Sequence, residues 1–208
     1  GIVKAMLETD ITPDFIVVDG GEGGTGAAPL EFCDHVGTPL QEGLLLVHNT
    51  LVGVNLRHRI QVGCSGKIIS AFDIAQAMAL GADWCNSARG FMFALGCIQS
   101  QNCHNDTCPT GVATQDKLRQ KALVVTDKAE AVYNFHRHTL EAFKDLVQAA
   151  GLNHPNELTA DHIVRRLGEN DVRQLSSLIP QVSTGGILAD GNTGVPVLDN
   201  YWQRARAD

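Results

Sequence analysis

Positive charge, long apolar runs and repeated sequence are all scarce in this 208-residue chain. Lys and Arg number 16 against 23 Asp and Glu, giving a formal charge of −7. No basic face stands out to offset that sign, so neither nucleic acid nor an acidic membrane surface is an expected partner. No stretch nears the ~20 apolar residues of a membrane-crossing helix, so no span is expected. No internal repeat is found, which excludes a repeat array. The 6 cysteines, three clustered and three isolated (Cys33, Cys64 and Cys85), do not read as a disulfide framework. The isolated three read as structural, and the set points to a reducing compartment, most simply the cytoplasm. What remains is an ordinary globular composition, 44% hydrophobic and 19% charged, long enough for one domain with a substantial core.

The clustered cysteines carry the most information. Cys97, Cys103 and Cys108 follow the spacing C-x5-C-x4-C in a loop-like stretch that ends in Pro109 and Gly111. Thiolates held this close by sequence can converge on one soft metal centre, and cysteine is the usual ligand of iron–sulfur iron. Three of them suit a three-iron cluster, or a site with one corner open. Zinc is a rival through a Cys3His set with His104, although His104 directly follows Cys103 and reaches the same ion awkwardly. Three unrelated core thiols are the bland alternative.

Short apolar runs followed by glycine set the rhythm elsewhere. Residues 15–18, 59–62 and 82–86 read as strands, the first of them fully buried. Residues 39–57 carry a helical apolar period, and residues 70–80 begin with a serine cap and stop at Gly81. Residues 2–7 also read as a helix. Strand alternating with helix is the pattern of a parallel α/β protein, which keeps its ligands in the loops after the strands. Farther on, residues 127–152 form a long amphipathic helix capped by Asp127, and residues 156–167 a short one. From Gln181 the composition turns to Ser, Thr, Gly, Asn and Pro, and a poorly ordered tail is expected.

Residues 97–116, with the upstream run Asp19-Gly-Gly-Glu22-Gly-Gly-Thr25-Gly-Ala-Ala-Pro29, resemble the flavin-binding synthase domain of glutamate synthase. In that family C-x5-C-x4-C holds a 3Fe-4S cluster and continues into Cys-Pro-x-Gly-Val-Ala-Thr-Gln-Asp, as residues 108–116 read here. The match also takes in His48-Asn-Thr-Leu51, Asn55-Leu-Arg57 and Tyr133-Asn-Phe-His-Arg137, in the same order. It is nearer to the short relatives without an amidotransferase domain than to the very long large subunit. No amidotransferase nucleophile is visible in this chain.

The resemblance implies the C-terminal part of a (β/α)8 TIM barrel of the FMN-binding type, followed by an iron–sulfur loop and C-terminal helices. Residues 1–116 would be the barrel part with the cluster loop at 97–108, residues 117–180 the packing helices, and residues 181–208 the tail. Flavin barrels bind phosphate with the loops after their last two strands. Here Ser65 and Gly66 would lie in the first such loop and Ser87 and Arg89 in the second, with the Arg89 guanidinium pairing to phosphate as a planar fork. Gly23, Gly24, Thr25 and Gly26 would line the flavin ring. His48 would wall the flavin site and Asn49 would hydrogen-bond flavin or substrate; His35, His58, His104, His136 and His138 read as ordinary surface or core residues.

The implied activity is an oxidoreductase of glutamate biosynthesis, in which reduced FMN delivers a hydride equivalent to 2-iminoglutarate, formed from 2-oxoglutarate and ammonia, to give L-glutamate. Cys97, Cys103 and Cys108 would ligate the cluster, which relays electrons from a donor subunit or ferredoxin. Two alternatives are another FMN-barrel dehydrogenase with a different substrate and a non-catalytic metal-binding module. Only three strands are legible, so the chain is expected to be the C-terminal portion of a longer protein.

Overall fold

The computed structural model describes residues 1–22 and 28–208. Three parallel strands, β1 (Phe15–Asp19), β2 (Gln61–Ser65) and β3 (Trp84–Asn86), form one sheet in the order β1-β2-β3. Helix α1 (Ile2–Thr9) leads into β1, α2 (Leu30–His35) and α3 (Leu40–Gly53) connect β1 to β2, and α4 (Ala71–Ala79) connects β2 to β3. This is the expected strand–helix alternation of a mixed α/β fold. Helix α4 begins where the sequence places it: the Ser70 hydroxyl accepts from the Asp73 amide, and the Asp73 carboxylate accepts from the Ser70 amide, closing a capping box.

Side chains alternate across the sheet. Val62 and Cys64 of β2 are fully buried on the face that α3 and α4 cover, joined by the half-buried Ile16 and Val18 of β1. The other face is different. Phe15 and Val17 are 56% and 42% exposed, and Phe15 meets Trp84 edge-on at 5.6 Å between ring centroids. The expectation that residues 15–18 are fully buried is therefore corrected: helices cover one side of this strand, and its period-2 pleat leaves the odd-numbered residues on the other.

After β3 come α5 (Arg89–Leu95), α6 (Lys117–Gln120) and the long α7 (Val125–Ala149). Helix α7 packs against α4 and α5, with Phe135 edge-on to Phe91 at 5.2 Å. It begins before Asp127, at an N-cap, Val124, whose side chain makes no capping bond. Two other expectations change. Residues 156–167 are not a helix: two 3-10 turns lead into β4 (Val164–Arg166), which pairs antiparallel with β5 (Val172–Gln174). Nor is the segment from Gln181 without structure. It carries α8 (Gly186–Asp190) and α9 (Pro196–Arg204), and Ile187 and Leu198 are each only 3% exposed. A few apolar residues spaced among polar ones suffice to anchor it, and Ile187 fills the space where a Cβ on Gly53 would otherwise sit. Among the described residues no helix is long and apolar enough to cross a membrane.

Candidate functional site

The carboxyl ends of β2 and β3 bring two of the sequence-predicted loops together. Ser65 and Asn86 are register partners, so the chain leaves both strands side by side. Ser65 is the last strand residue, and Gly66 turns the chain at φ +146°, with Leu40 Cβ only 3.1 Å from where its own Cβ would stand. A larger residue there is strained twice over, in backbone and in packing. The Ser87 hydroxyl donates to the Ile68 carbonyl at 2.8 Å, tying the second loop to the first.

Arg89 occupies the first position of α5, where leading amides lack intrahelical acceptors, and the N-cap Ala88 supplies no side-chain bond. The half-buried Arg89 guanidinium has no hydrogen-bond or ion-pair partner among the described residues. An unpaired guanidinium has the planar donor fork that suits a phosphate group. The serines contribute less than the sequence implies. Ser65 Oγ donates to the Asp19 carboxylate and Ser87 Oγ to Ile68, so both hydroxyl protons are engaged by protein. Of the sequence-predicted loop side chains, Arg89 is the one left without a partner among the described residues. A cavity of about 150 Å³ is lined by Gly66, Lys67 and Ile68 of the first loop, with Glu22 and Asp73 also in its wall. Gly23, Gly24, Thr25 and Gly26 lie outside the described residues.

His48 and Asn49 are placed elsewhere. Arg57 donates from Nε to His48 Nδ1 at 3.2 Å, from Nη1 to the Ile60 carbonyl at 2.9 Å, and from Nη2 to the Gly81 carbonyl and Asp83 Oδ2 at 2.9 and 2.8 Å. Asp83 Oδ2 also accepts from the Val62 amide at 2.6 Å. These groups sit at the entry to β2 and β3, the opposite end of the strands from Ser65 and Ser87. His48 thus braces the fold instead of walling a flavin site, and Asn49, 6% exposed, donates to the Pro180 carbonyl. Gly81, at φ +109°, is required here because a Cβ would fall 2.2 Å from His48 Nδ1.

Burial, followed by the Arg57 charge, pushes the His48 imidazole below its ordinary 6.5; the Asp83 charge opposes this. A depressed folded-state value means that the unfolded chain binds this proton more readily. The contribution is therefore complete above pH 6.5 and is lost as pH falls through the folded-state value. The melting temperature is expected to drop as pH is lowered from ~7 to ~5, and His48→Gln, which keeps an acceptor for Arg57, should flatten that slope. Identical slopes for the two proteins would remove His48 as the cause.

Cys97 and Cys103 are half-buried, and Cys103 opens a 3-10 turn. Cys108 is 5% exposed, and its Sγ lies 3.5 Å from Thr110 Oγ1. The Thr110 hydroxyl, then amides of Ala113, Thr110 and Val112, draw the Cys108 thiol down to about 7 against the opposing effect of burial. That is the environment of a ready thiolate. Among the described residues no group of three His, Cys, Asp or Glu side chains could hold a metal ion. The Cys3His zinc alternative is therefore not assembled in this structure, and the three thiols do not enclose a single centre.

Comparison with known proteins places this chain in a family. A model described as a conserved region in glutamate synthase matches residues 1–153. The glutamate synthase large subunit-like protein YerD of Bacillus subtilis is 43% identical over 176 residues, covering 85% of this chain and 34% of that protein. The NADPH glutamate synthase large chain of Azospirillum brasilense is 34% identical, over 89% of this chain and 12% of that one. The ferredoxin-dependent glutamate synthase of Pyropia yezoensis is 31% identical, over 92% and 12% respectively. This chain thus spans 34% or less of the length of these relatives. A mutant flavocytochrome b2 with pyruvate bound is similar at a TM-score of 0.43 and 15% identity, over 88% of this chain and 43% of that one, too loosely to carry an argument. With the conserved region matched over residues 1–153 of its 208, this chain belongs to the glutamate synthase family.

Proposed function

We propose that this chain is the flavin-phosphate and cluster-bearing part of an FMN- and iron–sulfur-dependent oxidoreductase of glutamate biosynthesis. In this reading β1, β2 and β3 are strands of a (β/α)8 barrel. The observation that carries it is the pair of strand-end loops, joined by the Ser87–Ile68 hydrogen bond and opening on the uncapped start of α5 with Arg89 unpaired among the described residues. FMN held there would supply hydride chemistry for reducing 2-iminoglutarate, formed from 2-oxoglutarate and ammonia, to L-glutamate. Gly66 gives the phosphate close access to backbone, Arg89 pairs with its charge, and Ser65 and Ser87 hold the loops in shape. Gly23, Gly24, Thr25 and Gly26 are proposed to line the ring.

The cluster reading rests on the spacing of Cys97, Cys103 and Cys108. The three thiols are not gathered on one centre, so no step is routed through them. A donor subunit or ferredoxin is the proposed electron source, a reading supported by the ferredoxin-dependent relative.

Flavin titration tests the phosphate site. In the full-length protein Arg89→Ala is expected to weaken FMN binding by about 1.5–3 kcal/mol, the scale of a hydrogen bond to a charged group. Arg89→Lys should recover only part, since the planar fork is lost. Unchanged affinity in both variants would place the phosphate elsewhere.

A further inference from the structure

Two cysteines outside the proposed cluster face each other across the sheet. Cys64 of β2 and Cys85 of β3 are register partners, and their sulfurs lie 3.6 Å apart. Both are free thiols. Neighbouring strands run ~4.8 Å apart, which falls inside the roughly 4.4–6.8 Å range of Cα separations that a disulfide spans. Closing the bond requires the sulfurs to approach to about 2.05 Å, a change that side-chain rotation and a small strand adjustment can supply. The two sites also differ in access: Cys64 is fully buried and Cys85 half-buried.

We propose that Cys64 and Cys85 form a reversible intrachain disulfide, a redox modification site separate from the flavin and cluster residues. With hydrogen peroxide as oxidant, the first sulfur gives up an electron pair, becomes a sulfenic acid and releases one water. The second sulfur then attacks it, the S–S bond forms and the second water leaves. Two S–H bonds and the peroxide O–O bond are broken, and two electrons pass from the thiols to the peroxide.

The shared hydrogen bond favours this chemistry. It draws the Cys64 thiol below its ordinary value, against burial, and holds the Cys85 thiol far above its own, with burial adding to the rise. The shared bond thus favours the thiolate form, which peroxide oxidises, at one sulfur over the other. A bond between directly adjacent strands sits near the short end of the Cα range and is correspondingly reducible.

The test is thiol mapping on the full-length protein, and it needs neither flavin nor activity. The protein is exposed to hydrogen peroxide, quenched, denatured, alkylated and digested. The expected result is one cross-linked peptide pair containing Cys64 and Cys85, about 2 Da lighter than the two reduced peptides and reopened by dithiothreitol. In Cys64→Ala, Cys85 should instead carry added oxygen. Cys64 and Cys85 both recovered fully alkylated, or Cys85 oxidised beside a free Cys64 in the unaltered protein, would overturn the proposal.

Discussion

Arg57→Ala is expected to cost about 3 kcal/mol of folding stability, the lower end of the cost of removing one partner from a buried ion pair. Arg57 and Asp83 are 21% and 27% exposed, which keeps solvent screening modest but present. The loss goes beyond the pair. The same guanidinium ties the end of α3 to the entries of β2 and β3 through His48, Ile60 and Gly81, and alanine leaves both carbonyls without this donor. Asp83 would retain its bond from the Val62 amide but lose its counter-charge. At ~2–4 °C per kcal/mol for a domain of this size, the melting temperature should fall by roughly 6–12 °C. Arg57→Lys should restore less than half of that, because one ammonium cannot bond four groups in a planar array. A melting temperature for Arg57→Ala within 1 °C or so of the unaltered protein would show that the network is not needed for the fold.

Expressed as residues 1–208, the protein is expected to self-associate and to bind FMN weakly or not at all. Parallel sheets are stable when both faces are covered, and unpaired parallel edges invite pairing with another chain. Here α3 and α4 cover one face, while Phe15 and Val17 on the other remain more than 40% exposed and β1 and β3 are the edges of a three-stranded sheet. Sedimentation velocity over a range of concentrations should show dimers or larger species. Val17→Lys, which puts a charge on the open face and leaves the α3 side untouched, should shift that distribution toward monomer. A monodisperse monomer at high concentration, with stoichiometric FMN, would contradict both the open-face argument and the placement of these strands in a barrel.

The three parallel strands and helices α3 and α4 were legible in the sequence because their signals are local. Apolar runs bounded by glycine mark β1 and β2, and the Ser70 cap marks the start of α4. The loops at Ser65-Gly66 and Ser87–Arg89 were legible for the same reason: each follows directly from the end of a strand. What each side chain touches was not. His48 lies in a motif that suggested a flavin wall, yet Arg57, nine residues along the chain, holds it at the far end of the strands. Cys64 and Cys85 read as isolated thiols because 21 residues separate them, and only the parallel register brings their sulfurs to 3.6 Å. The segment after Gln181 looks polar residue by residue, and its order comes from contacts such as Ile187 against Gly53. Local periodicity and turn chemistry marked β1 to β3, α3 and α4, while residues 156–167 and the tail took other forms. Partners distant along the chain appear only when the sheet register and helix packing bring them together, and tertiary structure alone decided those.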